Sequence, residues 1–155
     1  MNNRRPTRLQ SYDYNLPGSY FITICVMDHK CSFGYVNNGE MIHNQFGIIA
    51  LEQFSWLSSH YNYVDVSICT VMPNHVHAII NINPGDAIRA PLSLSQLVGA
   101  YKTKVSFNIH KLGKKNFAWQ RSFYDHIIRT RPSYNRIALY IKNNPINWEK
   151  DRFHV

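Results

Sequence analysis

Two β-type runs on either side of a Pro-Asn corner constrain this chain more than any other stretch: VDVSICTVM (Val64 to Met72) and HVHAIINI (His75 to Ile82). Both are rich in β-branched residues and the corner between them is short, so they read as an antiparallel pair of strands. Alternation divides the second run into Val76, Ala78, Ile80 and Ile82 on one face and His75, His77, Ile79 and Asn81 on the other. Imidazoles are poor core filler, because each ring carries two nitrogens that need partners once water is removed. The apolar set is therefore expected beneath covering helices, with both histidines on the opposite side of the sheet. Residues two apart on a strand project in parallel, about 6.5–7 Å apart at the backbone, so the two rings can converge on one ion. Two imidazoles alone hold a metal weakly and a third ligand would be needed, while many such pairs simply make hydrogen bonds in a strand. At this level both readings stand.

Periodicity organises the rest of the chain. SYFITICVM (Ser19 to Met27) reads as a first strand after a Pro-Gly turn, and FGYVNNGEMI (Phe33 to Ile42) as a small hairpin about Asn-Asn-Gly. Between Asn44 and His60, Phe46, Ile49, Ala50, Phe54 and Leu57 recur at helical spacing. After the loop NPGDAIRAP, Ser93 or Ser95 caps a second helix whose apolar face is Leu97, Val98, Tyr101, Val105 and Ile109. SFYDHIIRT (Ser122 to Thr130) is a last strand, and Pro132 or Ser133 opens a third helix that stops where Asn144 precedes Pro145. Without the hairpin and the last helix, the order is βαββαβ, an α+β ferredoxin-like pattern with an antiparallel sheet and two helices on one face. The 155 residues, 45% of them hydrophobic, suit one domain over 1–155, with a basic arm at 1–18 and a tail at 145–155.

Charge is distributed unevenly. Met1 to Ile88 holds four Lys/Arg against six Asp/Glu, and Arg89 to Val155 holds thirteen against three, which together make the net +8. Such polarity is the footprint of a polyanion partner, nucleic acid first among them. Lys102, Lys104, Lys111, Lys114 and Lys115 are candidates for DNA backbone contacts, or else a solvated helix face. Arg121, Arg129 and Arg131 are candidates for phosphates near the site, and Arg4, Arg5 and Arg8 could reach a strand from the arm. Trp119, Phe123 and Tyr124 could stack on bases, with core packing the better reading for at least one. His126 reads as a core histidine before a group supporting the site. The three cysteines lack C-x-x-C spacing, which argues against a disulfide framework and a cysteine zinc site. No long apolar run and no signal-like segment is present, so no membrane partner and a cytoplasmic location are expected.

Tyr140 and Asn144, in LYIKNNP, are four apart and would share a helix face, so a helix covering the open side of the sheet could bring a phenol and an amide toward the histidines. His75-Val76-His77 is an H-U-H arrangement, U being apolar. Together with VMPNHVHAI, WQRSFYDHIIR and YIKNNP it resembles the HUH single-tyrosine transposases, specifically the REP-associated tyrosine transposases, from about Arg4 to Trp148. The resemblance implies an enzyme that cuts and rejoins single-stranded DNA beside hairpins such as repetitive extragenic palindromes, through a 5′-phosphotyrosine. It implies Tyr140 as nucleophile, and His75, His77 and Asn144 as ligands of a divalent ion, Mg2+ or Mn2+ suiting phosphate chemistry. A hairpin-recognising regulator that has lost cleavage is the competing reading; a replication initiator or relaxase is disfavoured by the short chain without a helicase region. Monomer and homodimer both remain open.

Overall fold

A computed structural model describes residues 17–155, so the candidate DNA contacts Arg4, Arg5 and Arg8 lie outside the described residues. The chain runs β1 (Gly18–Cys25), β2 (Gly34–Asn37), β3 (Glu40–His43), α1 (Gln45–His60), β4 (Val64–Val71), β5 (His75–Ile82), α2 (Leu94–Lys111), β6 (Tyr124–Ile128) and α3 (Arg131–Lys142). β1, β4, β5 and β6 form one sheet in the order β4-β5-β1-β6, each neighbouring pair antiparallel. With α1 and α2 on one face this is the ferredoxin-like arrangement. β2 and β3 form a separate hairpin. Its two-residue turn, Asn38-Gly39, has positive φ at both positions (51° and 75°), the signature that the Asn-Gly pair favours.

Local chemistry sets the helix starts. Asn44 accepts hydrogen bonds from the backbone N–H groups of Phe46 and Gly47 at the start of α1. Ser93, the first of the two expected caps, forms a reciprocal capping box with Gln96 on α2. α3 begins earlier than Pro132: Thr130 caps it, and Pro132 falls in the first turn, where its missing N–H costs nothing. The last strand is shorter than expected, covering only Tyr124–Ile128.

The core lies between the sheet and the α1/α2 layer. Tyr20, Ile22 and Ile24 from β1 join Val76, Ala78, Ile80 and Ile82 from β5, packed with Ala50, Phe54 and Leu57 of α1 and Leu97, Tyr101 and Val105 of α2. Trp119 and Phe123 also belong to this core, so of the three expected stacking aromatics only Tyr124 is exposed, at 44%. The opposite face carries Phe21, Thr23, His75, His77 and Ile79, with α3 lying across β4 and β5. After α3 the chain makes a 3-10 turn at Trp148–Lys150 and turns back over the histidines, where Phe153 is buried. Among the described residues no helix is long and apolar enough to cross a membrane.

Gly34 joins the hairpin to the body with φ at 133°, and a Cβ there would run into the Ile42 carbonyl. Gly34→Ala should therefore cost about 1–3 kcal/mol, read as a lower urea midpoint with an unchanged slope. An unchanged midpoint would mean that this backbone conformation is not required.

Candidate active site and metal centre

Both histidines are buried, at 0% and 1% exposure, yet neither lies under α1 or α2. Their cover comes from α3 and from the returning tail. The ring centroids of His75 and His77 are 4.6 Å apart, so the parallel projection expected from the strand converges.

Each ring has one nitrogen engaged and one left over. His75 Nδ1 lies 2.8 Å from Asn74 Oδ1, and the amide's orientation follows from its other end, where Asn74 Nδ2 donates to the carbonyls of Phe153 (2.7 Å) and His29 (3.3 Å). His75 Nδ1 is thereby assigned as the donor, which leaves the lone pair on Nε2. His77 Nδ1 is 2.8 Å from the Thr23 hydroxyl on the neighbouring strand. The two Nε2 atoms and Asn144 Oδ1 are buried without a hydrogen-bond partner. Asp151 brings a carboxylate oxygen to 3.9 Å from His75 Nε2, and one donor atom each from His75, His77 and Asp151 lies within 4.8 Å of the others.

Three orphaned buried donors beside a carboxylate are costly unless something binds them. Donors sharing one ion at about 2.1 Å stand about 3–3.4 Å apart, so a modest contraction closes the set around a divalent cation. The held Nδ1 atoms are the outer support that ligating histidines need. The residues fit a metal: two imidazoles and the Asp151 carboxylate, with the buried, unpartnered Asn144 amide oxygen as a further candidate.

Tyr140 stands beside this group. Its ring centroid is 5.5 Å from that of His77 and 6.1 Å from that of Phe21, and the side chain is 45% exposed. Ile141, fully buried, anchors this end of α3, while at its other half the Tyr134 hydroxyl donates to Ser67 Oγ on β4 at 2.7 Å. Asn144 lies just past the helix that carries Tyr140: α3 ends at Lys142, and Asn144 sits in the following turn with its side chain buried and its Nδ2 donating to the Tyr140 carbonyl at 3.5 Å. Tyr140 and His77 line a half-open cavity of about 190 Å³ together with Tyr124, His126 and Arg152. His126 is thus an exposed residue on the site side of β6, and the reading of it as a core histidine is corrected: its register opposite Phe21 turns it away from the core.

The basic candidates are not gathered here. Lys102 and Lys104 lie on α2, across the sheet from the histidines. The Lys102 ammonium donates to the carbonyls of Gln120 (2.8 Å) and Ser122 (3.1 Å), and Lys104 sits over the Trp56 ring at 5.0 Å. Arg121 is in the bend before β6. Arg129 follows the far end of that strand, about 17 Å from Tyr124 at strand rise, and Arg131 starts α3. Sequence reasoning missed Asp151, Asn74 and Thr23; only Asn74 lay inside a motif that had been noticed.

Burial lowers His75 from its ordinary 6.5 to about 4, against the opposing pull of Asp151 and Asn144. It lowers His77 well below 6.5, with His75 adding to the effect. Both rings are therefore neutral at pH 7, as ligation requires. The unfolded chain binds protons on these rings that the folded chain does not, so stability is complete above about pH 6.5 and declines as pH falls toward about 4 and beyond. In chelator-treated protein the melting temperature should fall across that window; a flat profile would contradict buried neutral imidazoles.

The family model described as "Transposase IS200 like" matches residues 40–144. A Haemophilus influenzae protein of uncharacterised function is 34% identical over 171 aligned residues, covering 100% of this chain and 95% of its own. A second H. influenzae protein, a candidate REP-associated tyrosine transposase, is 25% identical over 92% of this chain and 83% of its own. Among solved structures, a REP-associated tyrosine transposase bound to a REP hairpin shares the fold with a TM-score of 0.64 at 18% identity, over 90% of this chain and 74% of that one. A candidate transposase from Deinococcus radiodurans gives a TM-score of 0.56 at 13% identity, over 88% and 95%. With the family match spanning most of the sheet, α1, α2 and the tyrosine-bearing helix, the chain belongs to the IS200-like transposase family.

Proposed function

We propose that this protein cleaves and rejoins single-stranded DNA next to hairpins, through a covalent bond between Tyr140 and a 5′-phosphate. One observation carries the reading: a half-exposed tyrosine shares a cavity with a histidine whose outward nitrogen is buried and unpartnered. A core tyrosine would not be open to a substrate, and a structural histidine would have both nitrogens satisfied. The hairpin preference rests on the solved relative, which holds a REP hairpin.

In this reading Tyr140 Oη forms a bond to phosphorus as the bond to the 3′ oxygen breaks. The phenol proton leaves to solvent and the 3′ oxygen takes one up, giving a phosphotyrosine and a free 3′-OH. The covalent intermediate conserves the bond energy for rejoining. Bound at His75, His77, Asn144 and Asp151, a Mg2+ or Mn2+ ion would withdraw charge from a nonbridging phosphate oxygen. The chain's own part is to hold these donors dry and oriented: Asn74 fixes the His75 tautomer, Thr23 fixes the His77 ring, and α3 sets Tyr140 alongside.

Incubation with hairpin-flanked single strands and manganese should give a protein–DNA adduct on a denaturing gel. Tyr140→Phe removes the bond-forming oxygen and keeps the ring, so it should abolish the adduct while hairpin and metal affinity stay within about twofold of wild type. Adduct formation by that variant would place the nucleophile elsewhere. Tight hairpin binding by the wild type with no adduct would favour a regulator.

Thr23→Val keeps the shape but removes the partner of His77 Nδ1, and should weaken manganese binding by about 10–100-fold, measured by calorimetry. Unchanged affinity would remove His77 from the ligand set.

A further inference from the structure

The returning tail supplies the cavity with a cation that the proposed reaction has not yet used. Arg152 lines the same 190 Å³ space as Tyr140 and His77. Its guanidinium carbon lies 4.8 Å from the Phe153 ring centroid and 5.6 Å from that of Tyr124. Contact with the rings uses none of the guanidinium N–H donors, and their fork matches two phosphate oxygens. The residues on either side are anchored: the Asp151 carboxylate accepts from the Phe153 N–H at 2.7 Å, and the Phe153 carbonyl accepts from Asn74 at 2.7 Å. Although Arg152 is exposed, it sits between two anchored neighbours and beside two rings, which narrows the positions its guanidinium can take at the cavity. The sequence-level phosphate candidates Arg121, Arg129 and Arg131 do not line this cavity, and Arg152 is the arginine that does.

We propose that Arg152 is a catalytic residue that grips the scissile phosphodiester through its nonbridging oxygens and stabilises the charge on the phosphoryl group while Tyr140 Oη bonds to phosphorus and the bond to O3′ breaks. This rests on Tyr140 as the nucleophile. The bookkeeping is unchanged: the phenol proton leaves to solvent, the departing 3′ oxygen gains one, and the guanidinium keeps its own protons throughout. The tail is on this account part of the working site.

Single-turnover adduct formation with a hairpin-flanked strand and manganese tests it, together with salt titration of binding to a short single strand in the Tyr140→Phe background. Arg152→Ala should slow adduct formation by about 10²-fold with hairpin affinity little changed, and should make the salt slope shallower by about 0.7, the loss of one phosphate contact. Arg152→Lys should keep the slope and recover only part of the rate, because an ammonium cannot make the paired contact. An Arg152→Ala rate within twofold of wild type, or faster, overturns the proposal while leaving Tyr140 in place. Should the wild type form no adduct, the transposase reading falls, and the slope alone decides whether Arg152 grips phosphate: shallower supports it, unchanged overturns it.

Discussion

Burial of two neutral imidazoles with their outward nitrogens unsatisfied is the constraint on which the rest of this structure depends. An unpaired buried polar atom costs about 1–3 kcal/mol, and His75, His77 and Asn144 contribute one each. A fold holds such a cluster only if the surrounding packing over-determines it or a ligand compensates. Here the inner nitrogens are pinned by Asn74 and Thr23, so the outer ones cannot rotate away to find partners. What destabilises the free protein is what would suit this group of residues to a cation.

The two faces of the sheet divide the labour. Beneath α1 and α2, apolar residues from all four strands and both helices close a dry core that keeps the strands in register. The other face is assembled late in the chain, by α3 and by the tail that follows it. Because α3 bears on β4 and β5 while the tail reaches Asn74 and the histidines, both bring chemistry from the last quarter of the sequence to a strand laid down in its middle. Asp151 and Arg152, adjacent in the chain, take opposite parts: the carboxylate turns inward toward His75 and the guanidinium lies along the cavity beside Tyr124.

Much of this was legible in the residues. Alternation in HVHAIINI correctly assigned its two faces, since a strand's period of two leaves no other choice. The Asn-Asn-Gly turn, a cap at Ser93 or Ser95, and the βαββαβ order were all readable because each rests on local chemistry. Less legible were the places where partners come from afar. His126 in YDHIIR looked like core filler, and only the pairing of β6 with β1 turns it outward. The Tyr140–Asn144 spacing suggested one helix face; the helix stops at Lys142, and Asn144 lies in the turn just past it with its side chain buried. Lys102 read as a DNA-backbone contact or a solvated helix position, and its ammonium is engaged with two backbone carbonyls.

By itself the sequence determined the elements, the sheet's two faces, the presence of a histidine pair on the face away from α1 and α2, and a helix bearing Tyr140 and leading into Asn144. These follow from periodicity, capping and turn preferences, which act over a few residues. Only the tertiary structure decided what completes the site. Residues 145–155 carry no periodic pattern that says where they go, and Asp151 and Arg152 are far from His75 and Tyr124 along the chain. Their placement comes from Phe153 burying its ring against His75 and from Asn74 binding the tail's carbonyl, long-range contacts that leave no trace in local sequence.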